Sequence, residues 1–284
     1  MIIGHQKQLN YLRKMAESGK IPHALLFSGQ DCLGKKTIAL HFISQLFGEP
    51  PTKISGGGHP DFILITPVKK QIQIDQIREL SWRLSLKPMK APLKAAIIDK
   101  AHSMTKEAQN CFLKTLEEPK GNTLLILITE HSNFLLPTII SRCEMIKFYP
   151  VGKEEIRKFL KEKETPKEET EKIVEFSLGR PGLVVNFLEN PEKLEEREIK
   201  IKELTKICNS PLFSRFQYAK ELSANENLKE TLDVWLIYFR NALISQKNVA
   251  KIKNILQALQ RVIFLMSTTN INQRLALEIL MLEF

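Results

Sequence analysis

The most constraining feature of this chain is the order of three short pieces near its start. "HALLFSG" (23–29) is an apolar run ending in Gly, "QDCLGK" follows as a polar, Gly-bearing loop, and "KTIALHFISQLFG" (36–48) has apolar residues at helical spacing and a terminal Gly stop. A strand delivered straight into a helix through a glycine loop is half of a βαβ unit, so the next strand should run parallel to the first. The pattern repeats. "FILIT" (62–66), "LKAAIID" (93–99) and "TLLILIT" (123–129) read as buried strands, while "IDQIRELSWRLSL" (74–86) and "TKEAQNCFLKTLEE" (105–118) read as amphipathic helices. Thr105 is a natural N-cap, and Pro119 ends the second helix. "EPPTKISGGGHPD" (49–61) is a loop by composition. The first half is therefore an α/β domain whose mostly parallel sheet is covered on both faces.

After "FYPVGKEE" (148–155) the character changes. Residues 153–205 read as short, charged helices with a break at "GRPG" (179–182), and "KEKETPKEETEK" (161–172) as a solvated helix pair turning at Pro166. Residues 211–284 are helical in pattern, most clearly at "ETLDVWLIYFRNALIS" and "INQRLALEILMLEF". The expected divisions are 1–150, 151–208 and 209–284. Trp235, Leu236, Phe239, Ile263 and Leu265 are shared between the last domain's core and any partner surface.

The 284 residues carry 43% hydrophobic content and a net charge of +10. Most of that excess lies in the first half, which leaves a polyanion partner open, although no basic run with interleaved aromatics is present. No apolar run reaches the roughly 18 residues of a membrane span. The N-terminus lacks a signal-peptide layout, so a cytoplasmic protein is expected. Cys32, Cys111, Cys143 and Cys208 show no C-x₂-C spacing, so neither zinc nor structural disulfides are expected. Cys111 and Cys143 read as small core residues.

The loop carries chemistry. Gly29, Gly34 and Lys35 match Gly-x-x-x-x-Gly-Lys, in which backbone N–H groups wrap phosphates and the lysine neutralises them. The next position should hold a magnesium-ligating hydroxyl. Here it is Lys36, which has no acceptor, and Thr37 comes one residue, about 100° of helix, too late. Cys32 occupies a position where a further Gly is commoner. Asp99, ending its strand, has the metal-holding carboxylate position, but an acid that would polarise water is replaced by Lys100, an ammonium with an ordinary pKa near 10.4. His102 is a conceivable substitute base, though a lone His there is more often structural. Together these changes imply a site that does not turn over nucleotide. Gly34 and Lys35 remain, so binding of ATP or ADP in cis stays open.

"LLPTIISRCEMIKF" (135–148) is a Pro-started helical stretch ending in Ser141-Arg142-Cys143 and a short strand. Arg142 is either a surface ion-pair partner or an arginine finger acting on a phosphoryl group, and composition does not decide between them.

"GHQKQLNYL", "IPHALLFSGQDCLGKK", "GHPDF", "IIDKAHSMTKEAQNCFLKTLEEP", "LLPTIISRC" and "NINQRLALE" together resemble the bacterial DNA polymerase III clamp-loader family of the AAA+ class, and within it the delta prime subunits. The resemblance implies an AAA+ domain, a small helical lid and an all-α collar that holds a five-membered ring. It implies gamma/tau motor subunits and a delta subunit as partners, the sliding clamp and primer-template DNA indirectly, and no membrane. No intrinsic ATPase is then expected, although the chain would belong to the polymerase III holoenzyme. Arg142, positioned by Ser141 and Cys143, would reach a neighbouring motor's ATP site in trans. The zinc module of many relatives has no counterpart in residues 48–60, and the nucleotide-sensing Arg of the motor lid falls at Gly182, with Arg180 out of register. An active ATPase using Thr37 and a DNA-binding module built on the basic first domain, including Lys87, Lys90 and Lys94, are the competing expectations.

Overall fold

A computed structural model describes residues 2–55, 58–119, 121–225, 227–244, 249–268 and 271–284. The chain divides into two compact units, residues 1–170 with 179–184, and residues 171–178 with 185–284.

In the first unit, α1 (Gln6–Ser18) leads to β1 (Ala24–Ser28) and α2 (Lys35–Phe47). The segment read as a loop contains a short helix, α3 (Pro51–Ser55), because Pro51 suits a first helical turn. Gly56 and Gly57 of that segment lie outside the described residues. There follow β2 (Phe62–Ile65), α4 (Ile74–Ser85), β3 (Lys94–Ile98), α5 (Lys106–Glu117), β4 (Thr123–Thr129), α6 (Pro137–Ile140), β5 (Glu144–Lys147) and α7 (Lys153–Glu162). Thr105 caps α5 as expected, its side chain accepting from the Ala108 N–H.

All strand pairs are parallel, in the order β2-β3-β4-β1-β5. β1 and β4 are central and almost wholly buried, which is why both read as continuous apolar runs. Leu25 and Phe27 face one core with Phe42 and Ile43 of α2, while Leu26 faces the other with Leu80 of α4 and Phe112 of α5. The sheet order puts the C-terminal ends of β1, β3 and β4 side by side, where an open parallel sheet presents a ligand crevice.

Behind this crevice, buried Asp61 anchors the connection into β3. Its carboxylate accepts backbone N–H bonds from Met89, Lys90 and Ala91 at 2.7–2.9 Å and lies 3.7 Å from the Lys94 ammonium. Burial alone would raise its pKa; the three N–H donors and Lys94 outweigh that and hold it below the ordinary carboxylate value. Lys94 is itself buried in this pair, so it is not a free phosphate contact.

The helices α8 (Lys167–Ser177) and α9 (Pro181–Glu189) are followed by α10 (Glu192–Cys208), α11 (Leu212–Ser223), α12 (Leu228–Ile244), α13 (Val249–Thr268) and α14 (Gln273–Leu282). Ser245, the last residue of the expected helical stretch "ETLDVWLIYFRNALIS", and Asn270, the first of the motif "NINQRLALE", lie outside the described residues. The second unit's core is built from α10 to α14 around Trp235, with Phe239, Leu259, Leu277 and Phe284 against it. Trp235 and Phe239 are thus committed to the unit's own core, whereas Leu236, Ile263 and Leu265 are half-buried. No helix among the described residues is long and apolar enough to cross a membrane.

Candidate functional site

The loop between β1 and α2 is shaped for close backbone approach. A Cβ on Gly29 would lie 2.5 Å from the Phe148 carbonyl oxygen, so no larger residue fits. Gly34 caps α2 with φ 81°, a left-handed conformation that suits glycine. Cys32 has φ 60° in the same loop. A non-glycine residue held there costs about 1–2 kcal/mol, consistent with the glycine expected from the motif.

Lys35 is 5% exposed, and its Nζ donates to the carbonyls of Gly29 at 2.6 Å and Gln30 at 2.5 Å. Burial lowers its pKa, opposed by the nearby Glu130, Asp31 and Asp99. Lys36 Nζ lies 3.1 Å from Asp99 Oδ2. The ammonium therefore sits on the carboxylate that would hold magnesium in an intact site. Asp31, Asp99 and Glu130 line the pocket alongside Lys35, Lys36 and Lys100, so its formal charges balance internally. Thr37 lines it too, without displacing Lys36 from Asp99.

The pocket holds about 240 Å³, and a second of about 720 Å³ shares Asp99, Lys100 and His102 with it. Gly182 closes one side of the first: its N–H donates to the Cys32 carbonyl at 2.7 Å, and a Cβ there would come within 2.9 Å of that oxygen. A side chain at residue 182 would therefore require the Cys32 backbone to shift. The carboxylate that would hold Mg²⁺ is paired with a lysine, and the position after Lys35 carries an ammonium where an intact site has a hydroxyl acceptor.

At the strand ends, His102 is pushed down to about 4, first by burial and then by the charges of His131 and Lys100. It is neutral at pH 7, and its Nδ1 lies 3.3 Å from Thr129 Oγ1. Thr129 also accepts from the His131 N–H at 3.1 Å. Thr129, Glu130 and Asp31 were not singled out from the sequence. Their signal was faint: polar residues closing an apolar strand or opening a glycine loop.

Arg142 is elsewhere. It is not among the residues lining the loop pocket. Pro137 starts the single turn of α6, Ser141 ends it, and Arg142 follows. The guanidinium Nη2 lies 2.9 Å from Glu117 Oε1, at the end of α5, and Nη1 donates to the Thr138 carbonyl at 3.0 Å. Its side chain remains 36% exposed. Ser141 Oγ donates to the Thr138 carbonyl at 3.2 Å. Cys143 packs against the core, and burial pushes its thiol up to about 12, so it is an inert packing residue. Buried Gln109, also missed in the sequence, fixes this corner. Its Nε2 donates to the Met104 and Phe134 carbonyls, and its Oε1 accepts from the Leu136 N–H at 2.8 Å. Among the described residues no group of three or more His, Cys, Asp or Glu side chains is arranged to hold a metal ion.

The sequence model of the family described as "DNA polymerase III, delta subunit" matches residues 4–152. The DNA polymerase III subunit delta' of Bacillus subtilis (strain 168) is 36% identical over 50% of this chain and 47% of its own length. The subunit delta' of Pseudomonas aeruginosa is 34% identical over 43% of this chain and 41% of its own. The matched region thus spans about half the length of these curated relatives or less. A DNA polymerase III gamma subunit-related protein from Thermotoga maritima has a similar fold, with TM-score 0.53 and 21% identity over 97% of both chains. The five-stranded parallel sheet and the helical C-terminal part agree with the expected AAA+ architecture.

Proposed function

This chain belongs to the DNA polymerase III, delta subunit family, and from that premise we propose that it is a delta-prime-type subunit of the clamp loader, without ATPase activity of its own. The single observation that carries the reading is the Lys36 ammonium seated on Asp99. A metal carboxylate paired with its own lysine, beside a position that lacks the ligating hydroxyl, is poorly suited to Mg²⁺. Lys100 supplies no base.

Chemistry moves in this reading to Arg142. A half-exposed guanidinium on a short, rigid turn suits recognition of phosphate oxygens. In trans it would stabilise charge on the γ-phosphoryl group of a neighbouring motor subunit, with Ser141 and Cys143 holding the turn. The proposed partners are gamma/tau motor subunits and a delta subunit, with the sliding clamp and primer-template DNA reached through the assembled ring. Residues 151–208 would serve as the lid and 209–284 as the collar, in the cytoplasm.

The test uses the isolated chain and the reconstituted complex. The isolated chain should show no ATP turnover. Arg142→Ala should leave assembly intact and remove the part of the complex's ATPase that depends on this subunit; unchanged turnover would sink the reading. Turnover by the isolated chain that disappears with Lys35→Ala would instead favour an ATPase acting in cis.

A further inference from the structure

We infer that Glu117 is a positioning residue for Arg142, holding the guanidinium in the orientation in which it meets a neighbour's phosphate. The inference rests on the reading of Arg142 given above. Glu117 is the last residue of α5, and the carbonyl end of a helix disfavours a carboxylate there. Its pair with Arg142 is exposed, with side-chain values of 47% and 36%, and such pairs add little to stability. Fold stability therefore does not account for a carboxylate in this place.

The geometry does. Arg142 is held from two directions, by Glu117 on Nη2 and by the Thr138 carbonyl on Nη1. A guanidinium has five N–H donors in a fixed plane, so two contacts fix the plane and leave donors for a phosphate. A long side chain that would otherwise lose rotamer freedom on binding is ordered beforehand. The two elements carrying the pair are themselves tied together, because Gln109 on α5 bonds the Phe134 carbonyl and the Leu136 N–H in the segment entering α6.

The experiment compares ATPase of the complex reconstituted with wild-type chain, Glu117→Ala, Glu117→Gln, Arg142→Ala and the double variant Glu117→Ala/Arg142→Ala. Misplacing a group that acts on the reacting centre by about 1 Å can cost ~10²-fold, so a partly loosened Arg142 should lower turnover at the motor site it serves roughly tenfold, read as a loss of the complex's kcat no larger than that of Arg142→Ala, with KM for ATP unchanged. Glu117→Gln keeps an acceptor oxygen at the same reach and should recover most of the rate. The double variant should be no slower than Arg142→Ala alone, since both act through one group. Wild-type kcat, or a raised kcat, in Glu117→Ala alongside a slow Arg142→Ala would overturn the inference and leave the arginine finger standing. Wild-type kcat in Arg142→Ala would overturn the finger itself. If Glu117→Ala fails to assemble, Glu117→Asp carries the test: its shorter side chain should lower kcat in an assembled complex, and wild-type kcat there would overturn the inference.

Discussion

Two lysines in the loop and one arginine on a surface turn show opposite uses of positive charge. Lys35 is buried and held by backbone carbonyls, and Lys36, although 42% exposed, is paired with Asp99 in the pocket that both line. Arg142 has one carboxylate and one carbonyl, both at the surface, and keeps donors free. A cation whose partners belong to its own pocket neutralises that pocket. A cation on a surface turn outside that pocket, with N–H donors to spare, is available to a ligand. Residue type alone does not separate the two, because all three positions are basic and stand in motif-like settings.

The comparison breaks most visibly at Arg142. Arg142→Ala should lower turnover at the motor site it serves by ~10³–10⁵, read as a partial loss of ATPase in the complex. A melt within error of wild type should accompany it, since an exposed pair is worth about 0–1 kcal/mol.

Lys35→Met should behave in the reverse way. Removing the ammonium leaves the Gly29 and Gln30 carbonyls without their donor, costing about 1–3 kcal/mol in urea unfolding. The isolated chain's response to ATP should not change. A variant of wild-type stability would show that the loop does not depend on its lysine.

His102 probes the same pocket through pH. Its folded pKa is depressed to about 4, whereas an unfolded histidine titrates near 6.5. Between these values the unfolded chain binds more protons, so stability falls as pH drops from about 6.5 towards 4. Buried His5 is shifted in the same direction, chiefly by burial. The informative quantity is therefore the difference between wild type and His102→Gln. The variant should lose less stability across that window, and parallel curves would remove His102 from the account.

The smallest effect belongs to Lys36→Thr. Its pair with Asp99 is 42% and 20% exposed, so the stability change should be about 0–1 kcal/mol. Thr at this position frees Asp99 and restores a hydroxyl, so titration with Mg-ATP should show tighter binding than wild type. Binding no tighter than wild type would show that Lys36 is not what disables the site.

Much of this was written locally. β1 and β4 are buried on both faces, so their apolar runs marked them as strands of a parallel sheet, and Thr105 and Pro119 bounded α5 within a residue. The mismatch at Lys36 and Lys100 was equally plain, since a missing hydroxyl and a missing acid are visible one letter at a time. Gln109, Glu117, Thr129 and Gly182 were not legible as a set. Each becomes informative only through a partner many residues away, as Gly182 does against Cys32 and Glu117 against Arg142.

The sequence by itself determined that the chain has a glycine loop between strand and helix, and that its magnesium hydroxyl is gone. Periodicity and residue chemistry are local, and no folding is needed to read them. Only the tertiary structure decided which carboxylate each cation meets. Parallel strand order brings Asp99 to Lys36, and the packing of α5 against the turn after α6 brings Glu117 to Arg142; distance in space, not spacing along the chain, sets which charges cancel.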